Sequence, residues 1–115
     1  MHELSIALSV LDIVRSAAAG AGLSRVDTVR LRIGKATGVL PDALHFAFDC
    51  SKAGTPAAAA ALVIEEVPIG GRCNDCGRDF TSPEPYVLAC PLCGGGSFRI
   101  TTGDELAVLD LEGEP

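Results

Sequence analysis

A chain of 115 residues, 48% of them hydrophobic, can build one modest domain with a small appendage but not two independent cores. Nine basic against fifteen acidic residues give a net charge of -6, which argues against a nucleic-acid partner. No basic region precedes an apolar run at the N-terminus and no stretch approaches a membrane span, so neither a signal peptide nor a membrane is expected.

Residues 3–19 predict an amphipathic helix. Leu4, Leu8, Leu11, Val14 and Ala18 recur at helical spacing, Ile6, Val10, Ile13 and Ala17 form a second apolar row, and Ser5, Ser9, Asp12 and Ser16 leave a narrow polar stripe. That much apolar surface predicts packing on more than one side, with Gly20 and Gly22 as the stop. A strand is expected over residues 28–33, with Val29, Leu31 and Ile33 inward and Arg30 and Arg32 outward. The following loop, Gly34 to Gly38, lies between strand and helix like a phosphate loop. It lacks the glycine and the hydroxyl that motif requires, since Val29 and Ala36 occupy those positions.

A second helix is expected over residues 41–53, opened by Pro41 and closed by Gly54. Leu40, Leu44, Ala47 and Phe48 are placed inward, and Asp42, His45, Asp49 and Lys52 on a polar face. His45 one turn before Asp49 could ligate a metal, but a solvated histidine is the favoured reading. Cys50 is expected to be an inert buried thiol. After an alanine-rich connector, a strand covers residues 62–67, where the adjacent Glu65 and Glu66 point to opposite faces and so form no carboxylate pair.

Pro68, Gly70 and Gly71 mark the exit into a cysteine module. Cys73-Asn-Asp-Cys76 and Cys90-Pro-Leu-Cys93 are two C-x2-C knuckles thirteen residues apart, the spacing of a structural zinc site. Four thiolates close a tetrahedron and leave no position for water or substrate, so such a site holds structure. Two disulfides would need an oxidising compartment, and a redox pair a thioredoxin-like context; neither context is visible. Reduced zinc-binding thiols point to the cytoplasm. Residues 79–81, 86–88 and 98–101 are expected as short strands of a zinc ribbon, and residues 105–112 as a last strand returning to the main sheet.

The fold expected is therefore α+β: a small three-stranded sheet packed by two helices, with an inserted four-cysteine zinc-ribbon module. The domains are residues 1–67 plus 104–115, and residues 68–103, with candidate hinges near Pro68 and Gly103. No set of groups for enzymatic catalysis is evident.

The other chemistry-bearing stretch is Met1-His2-Glu3. A terminal amine, the backbone nitrogens of His2 and Glu3 and the His2 imidazole could meet one ion in a plane, which suits Ni²⁺ or Cu²⁺ better than Zn²⁺. The bland alternative is a terminal histidine before a helix whose positive end favours Glu3. Met1-His2-Glu3-Leu4-Ser5, Val29-Arg30-Leu31-Arg32-Ile33-Gly34, the stretch Pro41 to Asp49, Ile64-Glu65-Glu66-Val67-Pro68, both knuckles and Gly103-Asp104-Glu105-Leu106 occur in one order along nearly the whole chain. In this combination the sequence resembles the HypA/HybF family of hydrogenase nickel-incorporation proteins.

The resemblance implies a nickel metallochaperone with no enzymatic activity. His2 would be the essential Ni(II) ligand, assisted by the Met1 amine and the backbone of His2 and Glu3, and Cys73, Cys76, Cys90 and Cys93 would hold structural Zn(II). The partners implied are a HypB-type GTPase and the hydrogenase large-subunit precursor, with urease maturation proteins for some members, and the carrier itself is expected as a monomer or weak homodimer. The alternative from another class is a zinc-ribbon adaptor for protein or nucleic acid without a transferable metal.

Overall fold

The computed structural model describes residues 2–115. In chain order the elements are α1 (His2–Ala21), β1 (Arg25–Gly34), a 3-10 turn (Lys35–Thr37), α2 (Pro41–Ser51), β2 (Ala61–Val67), β3 (Ile69–Cys73), β4 (Asp79–Ser82), β5 (Phe98–Thr102) and β6 (Leu106–Glu114). They form two three-stranded sheets, ordered β2-β1-β6 and β4-β3-β5. The α+β class with two helices and a four-cysteine ribbon is as expected. The chain divides into two compact units: residues 1–31, 39–65 and 107–115, and residues 32–38 with 66–106.

In the first unit α1 packs against α2. The buried row of α1 is Glu3, Ala7, Val10, Leu11, Val14 and Ala18. Leu4, Leu8 and Ile13, expected inside, are exposed. Small Ala7 and Ala18 admit a close neighbour on one narrow stripe, so the longer side chains flanking it are left outside. By length and mean hydropathy (1.5) α1 is long and apolar enough to cross a membrane, which corrects the expectation that no stretch approaches a span. Its buried stripe within this unit is what a core helix shows as well. The helix ends where Gly22 (φ 71) turns left-handed. Gly22 N–H then donates to Ala19 O at 3.3 Å and Leu23 N–H to Ala18 O at 2.8 Å, satisfying two of the last carbonyls.

β1 buries Val26, Val29, Leu31 and Ile33, and the Arg30 guanidinium reaches Asp110 on β6 at 3.2 Å. α2 buries Leu44, Ala47 and Phe48, but Leu40 is exposed rather than inward, because as the residue before Pro41 it stands in extended conformation ahead of the helix. Cys50, expected buried, is exposed on the outer side of α2. Past the helix, Lys52 Nζ donates to Ala60 O at 3.0 Å and pairs with Asp49 at 3.1 Å, folding the alanine-rich connector back so that Ala57 and Ala60 are buried.

In the second unit the central strand is β3, antiparallel to β4 on one side and β5 on the other. Residues 69–73 were expected only as an exit turn, since two glycines weaken a strand reading. The glycines serve close approach: a Cβ on Gly71 would meet the Phe80 ring, and one on Gly70 the Thr102 hydroxyl. Residues 86–88, expected as a strand, form none. Val87 nevertheless packs inward on Cys73, Phe80 and Cys90, and Phe80 meets Phe98 edge-on at 5.9 Å. Residues 32–38 belong to this unit through backbone bonds, Gly34 N–H to Glu105 O at 2.7 Å and Ala36 N–H to Gly103 O at 2.8 Å. Gly103 is buried, and its own N–H donates to the Glu105 carboxylate at 2.8 Å.

Candidate metal centres

Each knuckle is built by backbone first. After Cys73 the chain turns so that Gly77 N–H returns to Cys73 O at 3.0 Å, with Gly77 at φ 71. After Cys90 the same turn brings Gly94 N–H to Cys90 O at 2.8 Å, with Gly94 at φ 78. Left-handed glycines let the backbone wrap under the sulfurs. The N–H groups of Asp75 and Cys76 then point at Cys73 Sγ, at 3.3 and 3.4 Å, and Gly95 N–H at Cys93 Sγ, at 3.4 Å.

The result is four sulfurs within 4.8 Å of one another. Cys73 and Cys93 Sγ are 3.6 Å apart, and Cys76 and Cys90 Sγ 3.9 Å. A zinc ion with Zn–S of ~2.3 Å in a tetrahedron sets its sulfurs ~3.8 Å apart, so the cluster has the size of that site. Among the described residues no other group of three or more His, Cys, Asp and Glu gathers in this way, and His45 joins none.

The protonation pattern follows from the same contacts. The Cys76 thiol is lowered to about 6, first by the Arg78 backbone N–H and further by the Arg78 side chain, with burial opposing. Arg78 is in turn raised by its bond to Cys76. At Cys90 burial raises the pKa, and the N–H groups of Cys93 and Leu92 outweigh it, so the net direction is down. At Cys93 the Gly95 N–H lowers the pKa, but Cys73, Cys90, Cys76 and burial outweigh it and push the thiol up to about 12. The contacts thus favour the thiolate at Cys76 and the protonated thiol at Cys93. A dication would take the place of the Cys93 proton and hold the two knuckles as one rigid fold element.

The second sequence-predicted candidate lies at the start of α1. His2 opens the helix with its side chain 57% exposed, and Nε2 lies 3.4 Å from Glu3 Oε2. Met1 lies outside the described residues. The first N–H groups of a helix have no intrahelical acceptor, so metallating the His2 and Glu3 amide nitrogens breaks no bond of the helix ladder. Glu3 itself is buried, and its Oε2 accepts the Leu40 N–H at 3.3 Å. That bond is the main cause of its lowered pKa; burial opposes it, and the Glu3 N–H and His2 add to it.

Sequence reasoning placed Glu3 only at the helix dipole and missed this tie. The signal was present: α2 begins Leu40-Pro41 with no Ser, Thr, Asp or Asn to cap it, so a polar partner for that end had to come from elsewhere. Arg78 was missed as the cation against Cys76, though it stands two residues after that ligand.

Fold and site together define a small two-part α+β protein that joins a helical unit with an exposed N-terminal histidine to a ribbon closed by four cysteines. Residues 1–113 match the family HypA, described as hydrogenase/urease nickel incorporation, metallochaperone, hypA. The chain is 46% identical over 112 residues to the hydrogenase maturation factor HypA of Chloroflexus aurantiacus, covering 97% of this chain and 98% of that one. It is 41% identical over 114 residues to the hydrogenase maturation factor HybF of Klebsiella pneumoniae, covering 99% and 100%. The solution structure of the nickel metallochaperone HypA from Helicobacter pylori superposes with a TM-score of 0.68 at 22% identity, covering 97% of each chain, a likeness of fold. The chain belongs to the HypA family of hydrogenase-maturation metallochaperones, carriers and not enzymes.

Proposed function

We propose that this chain carries Ni(II) at its N-terminus and delivers it for maturation of [NiFe]-hydrogenase in the cytoplasm. The ligands are the His2 imidazole and amide nitrogen, the Glu3 amide nitrogen and the Met1 amine, and the four cysteines hold Zn(II) as a permanent structural ion. The observation that carries the reading is the start of α1, where an exposed His2 sits on two amides without helical partners while the Glu3 side chain is bonded to Leu40. With its carboxylate so engaged, Glu3 offers nickel its backbone.

A planar set of amine, amide and imidazole nitrogens suits a d⁸ ion and excludes the tetrahedral preference of zinc. Each amide must lose a proton to bind, so reprotonation releases the metal, and a docked acceptor that supplies protons and ligands drives transfer. In this reading the acceptor is the hydrogenase large-subunit precursor, a HypB-type GTPase acts with the carrier, and urease maturation proteins are a second destination. Nickel titration of untagged protein, followed by visible absorption of a planar centre, tests the site. His2→Ala or residues added ahead of Met1 should abolish tight nickel binding and leave zinc in place; unchanged nickel affinity would refute it.

A further inference from the structure

Among the described residues Glu3 is the only buried carboxylate. A carboxylate loses its hydration on burial and needs donors in return. Two converge on one oxygen: Oε2 accepts the Leu40 N–H at 3.3 Å and lies 3.4 Å from His2 Nε2. The first donor stands at the head of α2, on an N-cap residue whose own side chain makes no capping bond. The second belongs to the residue on which the nickel reading depends.

The place of the imidazole proton follows from the acceptor. An ionised carboxylate oxygen donates nothing, so the ring nitrogen facing it carries the hydrogen, and in a neutral ring the lone pair is then left on Nδ1. Nδ1 is also the nitrogen nearer the backbone. Together with the residue's own amide nitrogen it can close a compact chelate ring round one ion, whereas Nε2 aims its lone pair away from the chain. The His2 side chain is 57% exposed, so without such a contact its ring would sample several rotamers and both tautomers. Glu3 cannot follow it, because its side chain is 11% exposed and bonded to the neighbouring helix. The fixed partner orients the mobile one.

We infer that Glu3 is a positioning residue for nickel: its carboxylate, clasped by the Leu40 N–H at the head of α2, holds His2 Nε2–H and so aims the Nδ1 lone pair at the metal. The inference rests on the nickel reading, and it gives the Glu3 side chain a task separate from the backbone nitrogen that reading assigns to it. A carboxylate on the second ring nitrogen of a metal-bound histidine fixes the ring and its tautomer and raises metal affinity. The clasp also joins nickel geometry to α2, through a main-chain donor 37 positions away in sequence.

Three substitutions separate the parts, with Ni(II) titrated into the untagged, zinc-loaded full chain and followed by visible absorption. Glu3→Met keeps the length of the side chain without an acceptor and should weaken nickel binding by about tenfold or more. Glu3→Gln can keep an oxygen against both N–H groups and should stay within roughly threefold of wild type. Leu40→Pro removes the donor of the clasp; Leu40 already stands at φ -89 and ψ 117 with an exposed side chain, close to what proline adopts. It should weaken nickel in the same direction as Glu3→Met, and zinc content and helical circular dichroism should be unchanged in all three. Nitrogen-15 NMR of the nickel-free chain, with the imidazole uncharged, gives a signature that a merely structural role would not move. His2 should show Nε2 protonated and Nδ1 bare in the wild type, and Glu3→Met should draw the two nitrogen shifts together. Wild-type nickel affinity in Glu3→Met and Leu40→Pro would overturn the inference. So would an unchanged His2 tautomer in Glu3→Met, or a loss in Glu3→Gln as large as in Glu3→Met. His2→Ala keeps the two claims apart: nickel retained there fails the nickel reading, whereas nickel lost there but unchanged in Glu3→Met fails the positioning role alone.

Discussion

Replacing Gly34 by alanine should loosen the ribbon unit at the point where residues 32–38 join it. Gly34 has φ -80 and ψ 143, so alanine meets no backbone strain there. The new methyl would instead overlap the carbonyl carbon and oxygen of Gly103 and approach Asp104 N to 2.6 Å. All three are main-chain atoms that cannot rotate aside. Relieving the overlap moves the two segments apart and breaks Gly34 N–H···O Glu105 and Ala36 N–H···O Gly103, at 2.7 and 2.8 Å. Two backbone hydrogen bonds at about 1 kcal/mol each, with the packing of their surroundings, give a loss of roughly 2–4 kcal/mol. Urea unfolding of the zinc-loaded protein measures it, and amide exchange at Gly34 and Ala36 localises it. Gly20→Ala, with open space around the new methyl in a helix, is the control and should be neutral or stabilise by up to ~1 kcal/mol. A Gly34→Ala protein within about 0.5 kcal/mol of wild type would refute the reasoning.

Chelation of zinc should abolish amide protection across β3, β4 and β5 while α1 and α2 keep theirs; loss of both together would count against independent anchoring by the metal. Because Cys76 lies at about 6 and Cys93 at about 12, zinc uptake at neutral pH must displace a proton from Cys93, and its apparent affinity should rise with pH. Calorimetry in buffers of different ionisation enthalpy counts that proton, and a count of zero would contradict the assignment. The lowered pKa of Glu3 stabilises the fold above the ordinary value of 4.5 and is lost as pH falls through the lowered one. Glu3→Gln should therefore flatten the acid limb of stability against pH; an identical limb would exclude the Leu40 tie. Arg30 and Asp110 are each about half exposed, so a double-mutant cycle should return under about 1 kcal/mol despite their 3.2 Å separation.

What could be read from the sequence depended on how local its cause was. The knuckles were legible because metal ligation fixes residue type and spacing, and β1 because Val29, Leu31 and Ile33 alternate with two arginines. The α1 face was not, since Leu4 and Leu8 carry the same periodicity as the residues that are buried, and only a neighbour selects among them. β3 was hidden by Gly70 and Gly71, whose lack of side chain weakens local propensity and is needed for partners that lie elsewhere in the sequence. Cys50 was misplaced because α2 is apolar beyond its buried stripe, and composition alone made a small thiol look internal. The tie from Glu3 to Leu40 joins residues 37 positions apart and left only an indirect trace, the uncapped start of α2.

The order of strands has a consequence for synthesis. β1 is made early, yet its neighbour β6 is the last element in the chain, and the whole ribbon is translated between β2 and β6. The first sheet therefore waits, with one edge of β1 open, until the cysteine segment has left the ribosome. A ribbon already closed on its metal shortens the loop that must be gathered before β6 can pair, lowering the entropic cost of that late step. Metal supply to the cysteine cluster during translation thus bears on how long an apolar strand edge stays unpaired, and hence on aggregation of the nascent chain.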